Sequence, residues 1–82
     1  MMLYMDIPDR SRWTKATRYY ELSLQRDLWG DWCLLRAWGG LQRAGGRCSS
    51  TPFASLNDAV TAYGAAERRR RTRGYQPESR HA

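Results

Sequence analysis

The chain is short of the residues that build metal centres and disulfide scaffolds. Two cysteines, Cys33 and Cys48, and one histidine, His81, are its whole stock of soft ligands, so the spacing of a four-ligand zinc site is absent and no metal or other cofactor is expected. Paired carboxylates, a Cys and His couple, and a serine with a base partner are missing too, which leaves general acid/base and nucleophilic catalysis without their parts and points away from an enzyme with a small-molecule substrate. Long apolar runs are also lacking. The opening "MMLYMDIPDR" is broken by Asp6 and Pro8, so neither a signal peptide nor a membrane span is expected, and a cytoplasmic location with reduced thiols follows. Lysine is scarce: Lys15 stands alone beside 13 arginines.

What is present is aromatic and basic. At 82 residues the chain holds one core, expected as a single domain over residues 1–75 with a disordered tail at 76–82. A core this small needs large side chains, and four Trp, five Tyr and one Phe supply them. Residues 1–35 carry five basic and five acidic groups, whereas residues 36–82 carry nine and three, so the net charge of +6 lies in the second half. A segregated positive field attracts polyanions, and guanidinium groups pair phosphates bidentately and stack on aromatic faces.

Residues 3–5 read as a short strand and "DIPDRSR", residues 6–12, as a turn or loop. "RYYELSLQRD" alternates, with Tyr20, Leu22 and Leu24 on one side, as a half-buried strand does. "DLWGD" reads as a hairpin turn in which Gly30 is free to take a positive φ. "WCLLRAWG" is partly apolar on both faces and so predicts a central strand, followed by a loop over residues 39–46 and a strand "RCSST" that Pro52 ends. Ser55 with Asp58 three residues on marks a helix start. Leu56, Ala59, Val60, Tyr63 and Ala66 then form its packing face. Gly64 suggests close packing on a neighbour, and Gly74 marks the stop.

Taken in order, "RYYELSL", "WCLLRAWGG" and "TPFASLNDAV…Y" resemble the WGR domain, a family named for a Trp-Gly-Arg motif and found in DNA-damage-dependent poly(ADP-ribose) polymerases and as small bacterial proteins. The resemblance implies an α+β fold: a twisted antiparallel sheet of four to five strands with one C-terminal helix packed on it. It also implies binding of nucleic acid, duplex DNA near a break above all, with a nucleoid association if that holds. In polymerase members the motif Trp lies against a sugar at the DNA end and the motif Arg helps join DNA to neighbouring domains. Trp38 and Gly39 match the first two motif positions. Gly40 stands in place of the Arg, and Gln42 where a second loop glycine is common.

The candidate nucleic-acid site is therefore Trp38 and Gly39 with Arg36, Arg43 and Arg47 near them in sequence, and Arg68, Arg69, Arg70, Arg71 and Arg73 on the helix. Each residue has a plainer alternative. Trp38 is either a platform for a sugar or base or a core indole capping the sheet. The glycines either cradle phosphate or connect a hairpin. The arginine run either contacts phosphate or is a solvated helix end. A rival reading is a protein-interaction or homodimer surface formed by Trp29, Trp32 and Trp38. Attachment to a membrane surface is disfavoured because the helix is Ala-rich opposite its basic residues.

Overall fold

The computed structural model describes residues 10–78. The elements run β1 (Arg10–Lys15), β2 (Arg18–Arg26), β3 (Trp32–Gly40), β4 (Arg47–Phe53), α1 (Leu56–Thr72) and β5 (Gln76–Pro77). The five strands make one antiparallel sheet in the order β4-β3-β2-β1-β5. The helix packs on one face of it, against β2, β3 and β4. The fold is thus the α+β arrangement expected: an antiparallel sheet with one C-terminal helix.

Strand pairing sets which side chains meet the helix. Tyr20 pairs with Trp38, Leu22 with Arg36 and Leu24 with Leu34, and residues directly opposite in an antiparallel pair share a face. Trp13, Leu22, Leu24 and Leu34 from that face join Ala59, Tyr63, Ala66 and Tyr75 in one buried core, with Tyr20, Trp32 and Phe53 packed at its margin. Trp13 is only 1% exposed and its indole N–H donates to Ser11 Oγ at 2.9 Å. Losing such a side chain costs about 3–5 kcal/mol.

Several expectations need correction. Arg10, Ser11 and Arg12, read as loop, are in β1, where charge on the outward positions hides the alternation that puts Ser11, Trp13 and Lys15 inward. β4 runs through Pro52 to Phe53; as an edge strand it has no neighbour on its outer side to miss the proline's absent N–H. Gly39 and Gly40 end β3 rather than open the loop. Val60 is 39% exposed, and the buried stripe of the helix instead continues from Ala66 to Arg70. Gly64 packs closely on nothing: a Cβ there would meet only Arg68 Nη1, at 3.7 Å. Gln76 and Pro77, placed in the tail, pair with β1, and the Glu78 N–H donates to the Arg12 carbonyl at 2.8 Å. The strand expected at residues 3–5 lies outside the described residues, as do residues 79–82.

The helix ends follow from local chemistry. Ser55 caps the start, its hydroxyl accepting the Asp58 N–H at 3.1 Å. At the other end the Tyr75 N–H donates to the Arg70 carbonyl and the Gly74 N–H to the Arg71 carbonyl, both at 3.0 Å, with Gly74 at φ 91°. That is the Schellman pattern. The apolar contact that usually accompanies it is here the Arg70 guanidinium lying 5.1 Å from the Tyr75 ring centre.

The β2–β3 turn is built on Asp27. Its Oδ1 accepts the N–H groups of Trp29 and Asp31, each at 2.9 Å, its Oδ2 accepts the Cys33 thiol at 3.6 Å, and Gly30 takes φ 85°. These donors, the Asp31 N–H foremost, hold the Asp27 carboxyl below the ordinary carboxylate range. A carboxyl depressed in the folded state adds stability above its unfolded pKa of about 3.9, and that stability is lost as pH falls through the folded value. Asp27→Asn should therefore flatten the acid limb of the stability profile below about pH 4, read by denaturant titrations at pH 3 and pH 6; an unchanged acid limb would show the turn is held without the carboxylate.

A candidate nucleic-acid interface around Trp38

Three segments converge at one end of the sheet: the β1–β2 turn, the β3–β4 loop and the C-terminal end of α1. Their meeting is held by two hydrogen bonds to main-chain carbonyls. The Leu41 N–H donates to the Thr17 carbonyl at 2.7 Å, tying loop to turn. The Lys15 ammonium donates to the Arg73 carbonyl at 2.6 Å, tying the turn to the helix end.

Glycine at two positions makes this closure possible. A Cβ on Gly46 would fall 2.5 Å from the Trp38 carbonyl oxygen and 2.6 Å from the Tyr19 hydroxyl. One on Gly39 would lie 3.1 Å from both Gly46 Cα and Tyr19 Cε1. The loop thus returns with its backbone laid against the end of β3. These two glycines are required for the close packing of the loop on the strand end.

Trp38 is half-buried and stacks on Tyr20, ring centres 5.7 Å apart and planes 14° from parallel. The Arg70 guanidinium covers the Tyr20 ring at 3.9 Å, and Tyr75 meets Tyr20 edge-on at 6.1 Å. Trp38 is therefore a sheet-capping indole and also a lining residue of the concave surface beside it. Two adjoining recesses of about 560 and 470 Å³ share Thr17, Arg18, Trp38 and Tyr75. The first adds Tyr19, Gly39, Gly40 and Arg43; the second adds Lys15, Tyr20, Arg70 and Arg73. A smaller recess under the loop is walled by Trp38, Arg43 and Arg47 among others. Six cations surround the site, and among the described residues no carboxylate lines it.

Of the residues expected from sequence, Trp38, Gly39, Arg43, Arg47, Arg70 and Arg73 meet here. The others lie elsewhere. Arg36 points to the helix side of the sheet beside Thr51 Oγ1, 3.5 Å away. Arg71 lies over the Trp13 ring at 5.0 Å. Arg68 and Arg69 are exposed on the helix and line none of the three recesses. Sequence reasoning missed Lys15, Arg18, Tyr19, Tyr20 and Tyr75. Once β1 and β2 are paired as a hairpin, Lys15 and Arg18 fall opposite each other at its mouth, so recognising β1 would have found both cations.

The patch of three tryptophans does not form. Trp32 and Trp38 are six residues apart on β3, about 20 Å along an extended strand. Trp32 packs at the core margin under the Arg26 guanidinium, at 5.0 Å, and Trp29 stands in the turn beyond it.

The family description of the WGR domain matches residues 1–82. The chain belongs to the WGR domain family. WGR domains are nucleic-acid-binding modules in poly(ADP-ribose) polymerases. The chain is 39% identical over 75 residues to an uncharacterized protein of Sinorhizobium fredii, y4dW; the match covers 92% of this chain and 35% of that protein, so the chain spans about a third of its relative's length. No solved structure matches. Among the described residues no helix is long and apolar enough to cross a membrane.

The site separates two arginines that look alike in sequence. Arg70 is 8% exposed between two rings, and cation–π contacts of this kind are worth about 0.5–2 kcal/mol each, whereas neighbouring Arg69 is exposed. Arg70→Ala should lower stability by about 1–3 kcal/mol and Arg69→Ala by less than about 0.5 kcal/mol, measured by urea denaturation. Equal costs would mean that the Arg70 guanidinium does not hold the helix end to Tyr20.

Proposed function

We propose that this WGR domain is a non-enzymatic module that binds double-stranded nucleic acid, DNA foremost, at the Trp38 cleft. The observation that carries the reading is charge of one sign around an aromatic floor: Lys15, Arg18, Arg43, Arg47, Arg70 and Arg73 beside Trp38 and Tyr75, with no carboxylate among the described residues that line it. Like charges held this close repel, and a polyanion relieves that repulsion while releasing its own counterions. Phosphate contacts orient a protein without reading bases, so sequence preference should be low. Trp38 offers an apolar surface to a sugar or terminal base, Gly39 lets the returning loop pack beside it, and exposed Arg68 and Arg69 extend the positive surface along the helix. Arg36 and Arg71 serve mainly through their contacts with Thr51 and Trp13.

Arg43 takes a particular role. A Cβ on Gly40 would sit 3.2 Å from Arg43 Cδ and 3.4 Å from its Cγ, so the Arg43 stem occupies the space a side chain at position 40 would enter. Gly40 has no positive φ, and nothing in the backbone forbids a larger residue there. In the WGR resemblance position 40 belongs to an arginine; here the loop delivers a guanidinium to the same mouth from position 43.

Fluorescence anisotropy with blunt duplex, nicked duplex and single-stranded oligonucleotides at two salt concentrations tests the reading. If about four phosphates are neutralised, log affinity should fall against log salt with a slope near −3.6. Arg43→Ala should weaken duplex binding about tenfold, or about 1.4 kcal/mol, and Gly40→Arg in that background should recover most of the loss. A flat salt response or no binding at low salt would reject nucleic acid as the ligand. Normal binding by Arg43→Ala would reject the role of that side chain alone.

A further inference from the structure

The most exposed large apolar side chains among the described residues are Leu28, 95% exposed, and Trp29, 82% exposed. Both sit at the tip of the β2–β3 turn, and the turn is not loose. Two backbone N–H groups bond the Asp27 carboxylate, the Asp27 N–H donates to the Asp31 carbonyl at 2.9 Å, and the Gly30 N–H to the Asp27 carbonyl at 3.1 Å. The fold therefore spends four hydrogen bonds holding an indole in water, where it contributes nothing to the core. Two acidic residues, Asp27 and Asp31, bracket it.

Its chemical complement is at the opposite end of the same molecule. The cleft around Trp38 has aromatic walls from Tyr19, Trp38 and Tyr75, a cationic rim, no lining carboxylate among the described residues, and a volume of about 560 Å³, within the range of pockets that enclose small ligands. The turn lies at the Arg26–Trp32 end of the β2–β3 ladder and the cleft at its Arg18–Gly40 end. Eight residue steps of extended strand put them about 27 Å apart, so the turn of one chain cannot reach its own cleft.

We propose that Trp29 of one copy inserts into the Trp38 cleft of a second copy, with Asp31 meeting the cationic rim. The contact is heterologous, so each copy keeps a free turn and a free cleft, and association proceeds head to tail rather than closing on a two-fold dimer. One turn in one cleft buries far less than the roughly 1,600 Å² of a standard stable interface, so the chains are weak and concentration-dependent, with a dissociation constant on the order of 0.1 mM. Nucleic acid and the turn compete for one surface, and a bound duplex takes the chains apart.

Sedimentation velocity from about 0.02 to 1 mM, a range bracketing that constant, tests this with two variants. Trp29→Ser removes the insert and leaves the cleft; Arg18→Glu with Arg43→Glu reverses the rim and leaves the turn. All three altered side chains are exposed, and circular dichroism checks each fold; Arg43→Glu alone replaces the double variant if that one unfolds. The parent should grow beyond a dimer with concentration, each variant alone should stay monomeric, and an equimolar mixture should form a 1:1 complex and nothing larger. A parent that stays monomeric, a Trp29→Ser chain that assembles like the parent, or a mixture without a 1:1 complex would each overturn the proposal. Duplex binding by Trp29→Ser is read in parallel: its retention shows the cleft works whatever the assembly result, and its absence in parent and variant alike is a failure of the nucleic-acid reading instead.

Discussion

The stack of Arg70 on Tyr20 and Tyr20 on Trp38 is the contact on which the rest of the molecule's basic end depends. It joins the last turns of the helix to the second and third strands. Without it, the guanidinium of Arg70 would leave the helix face and Trp38 would have no partner to fix its plane. The stack also explains why one arginine of a run of four is buried. No carboxylate among the described residues pairs with it, so its charge stays available to the cleft while its planar surface packs as an aromatic neighbour would. The helix cap reinforces this, since the same arginine's carbonyl accepts the Tyr75 N–H and brings Tyr75 beside Tyr20.

Much of the fold was legible in the sequence because it rests on period and punctuation. The second strand shows a clean alternation of Tyr20, Leu22 and Leu24, and Gly30, Ser55 and Gly74 stand where a turn, a cap and a stop each need that residue type. The first strand was illegible for a physical reason. Its inward positions are Ser11, Trp13 and Lys15, of which only Trp13 is apolar, so no hydrophobic period survives for a reader to find. The same failure hid half the site, because Lys15 and Arg18 gain meaning only when the hairpin pairs them. Arg70 was legible as charge and could have been read as packing: it falls four residues after Ala66 on the stripe of Ala59, Tyr63 and Ala66, but a guanidinium is taken as solvent-facing until Tyr20 and Tyr75 are placed beneath it.

Backbone conformation at the cleft carries its own cost. Ala16 holds φ 53°, a left-handed conformation that costs a residue with a Cβ about 1–2 kcal/mol, between the paired Lys15 and Arg18. Strain of this sort persists where surrounding contacts over-determine it, and two do so here: the Thr17 carbonyl accepts the Leu41 N–H, and the Arg73 carbonyl accepts the Lys15 ammonium. The turn is thus clamped from the loop on one side and the helix end on the other, and the clamp holds both of its cations at the rim.

The positive charge of the cleft follows from where the acids are engaged as much as from the number of arginines. Glu21 and Glu78 both pair with Arg12, which also lies over Tyr19 at 4.8 Å. Asp27 is consumed by backbone N–H groups of its turn, and Asp58 sits in the first turn of the helix, where the dipole favours it. With each of these committed to a local partner, none neutralises the end of the sheet where turn, loop and helix meet. Charge that looks segregated only along the chain is segregated more sharply in space, because Lys15 and Arg18 from the balanced first half join the arginines of the second. A surface left in that state is stable only as long as the aromatic stack and the two clamps outweigh its own repulsion, and any anion that fits the cleft adds to the stability of the fold by the free energy with which it binds.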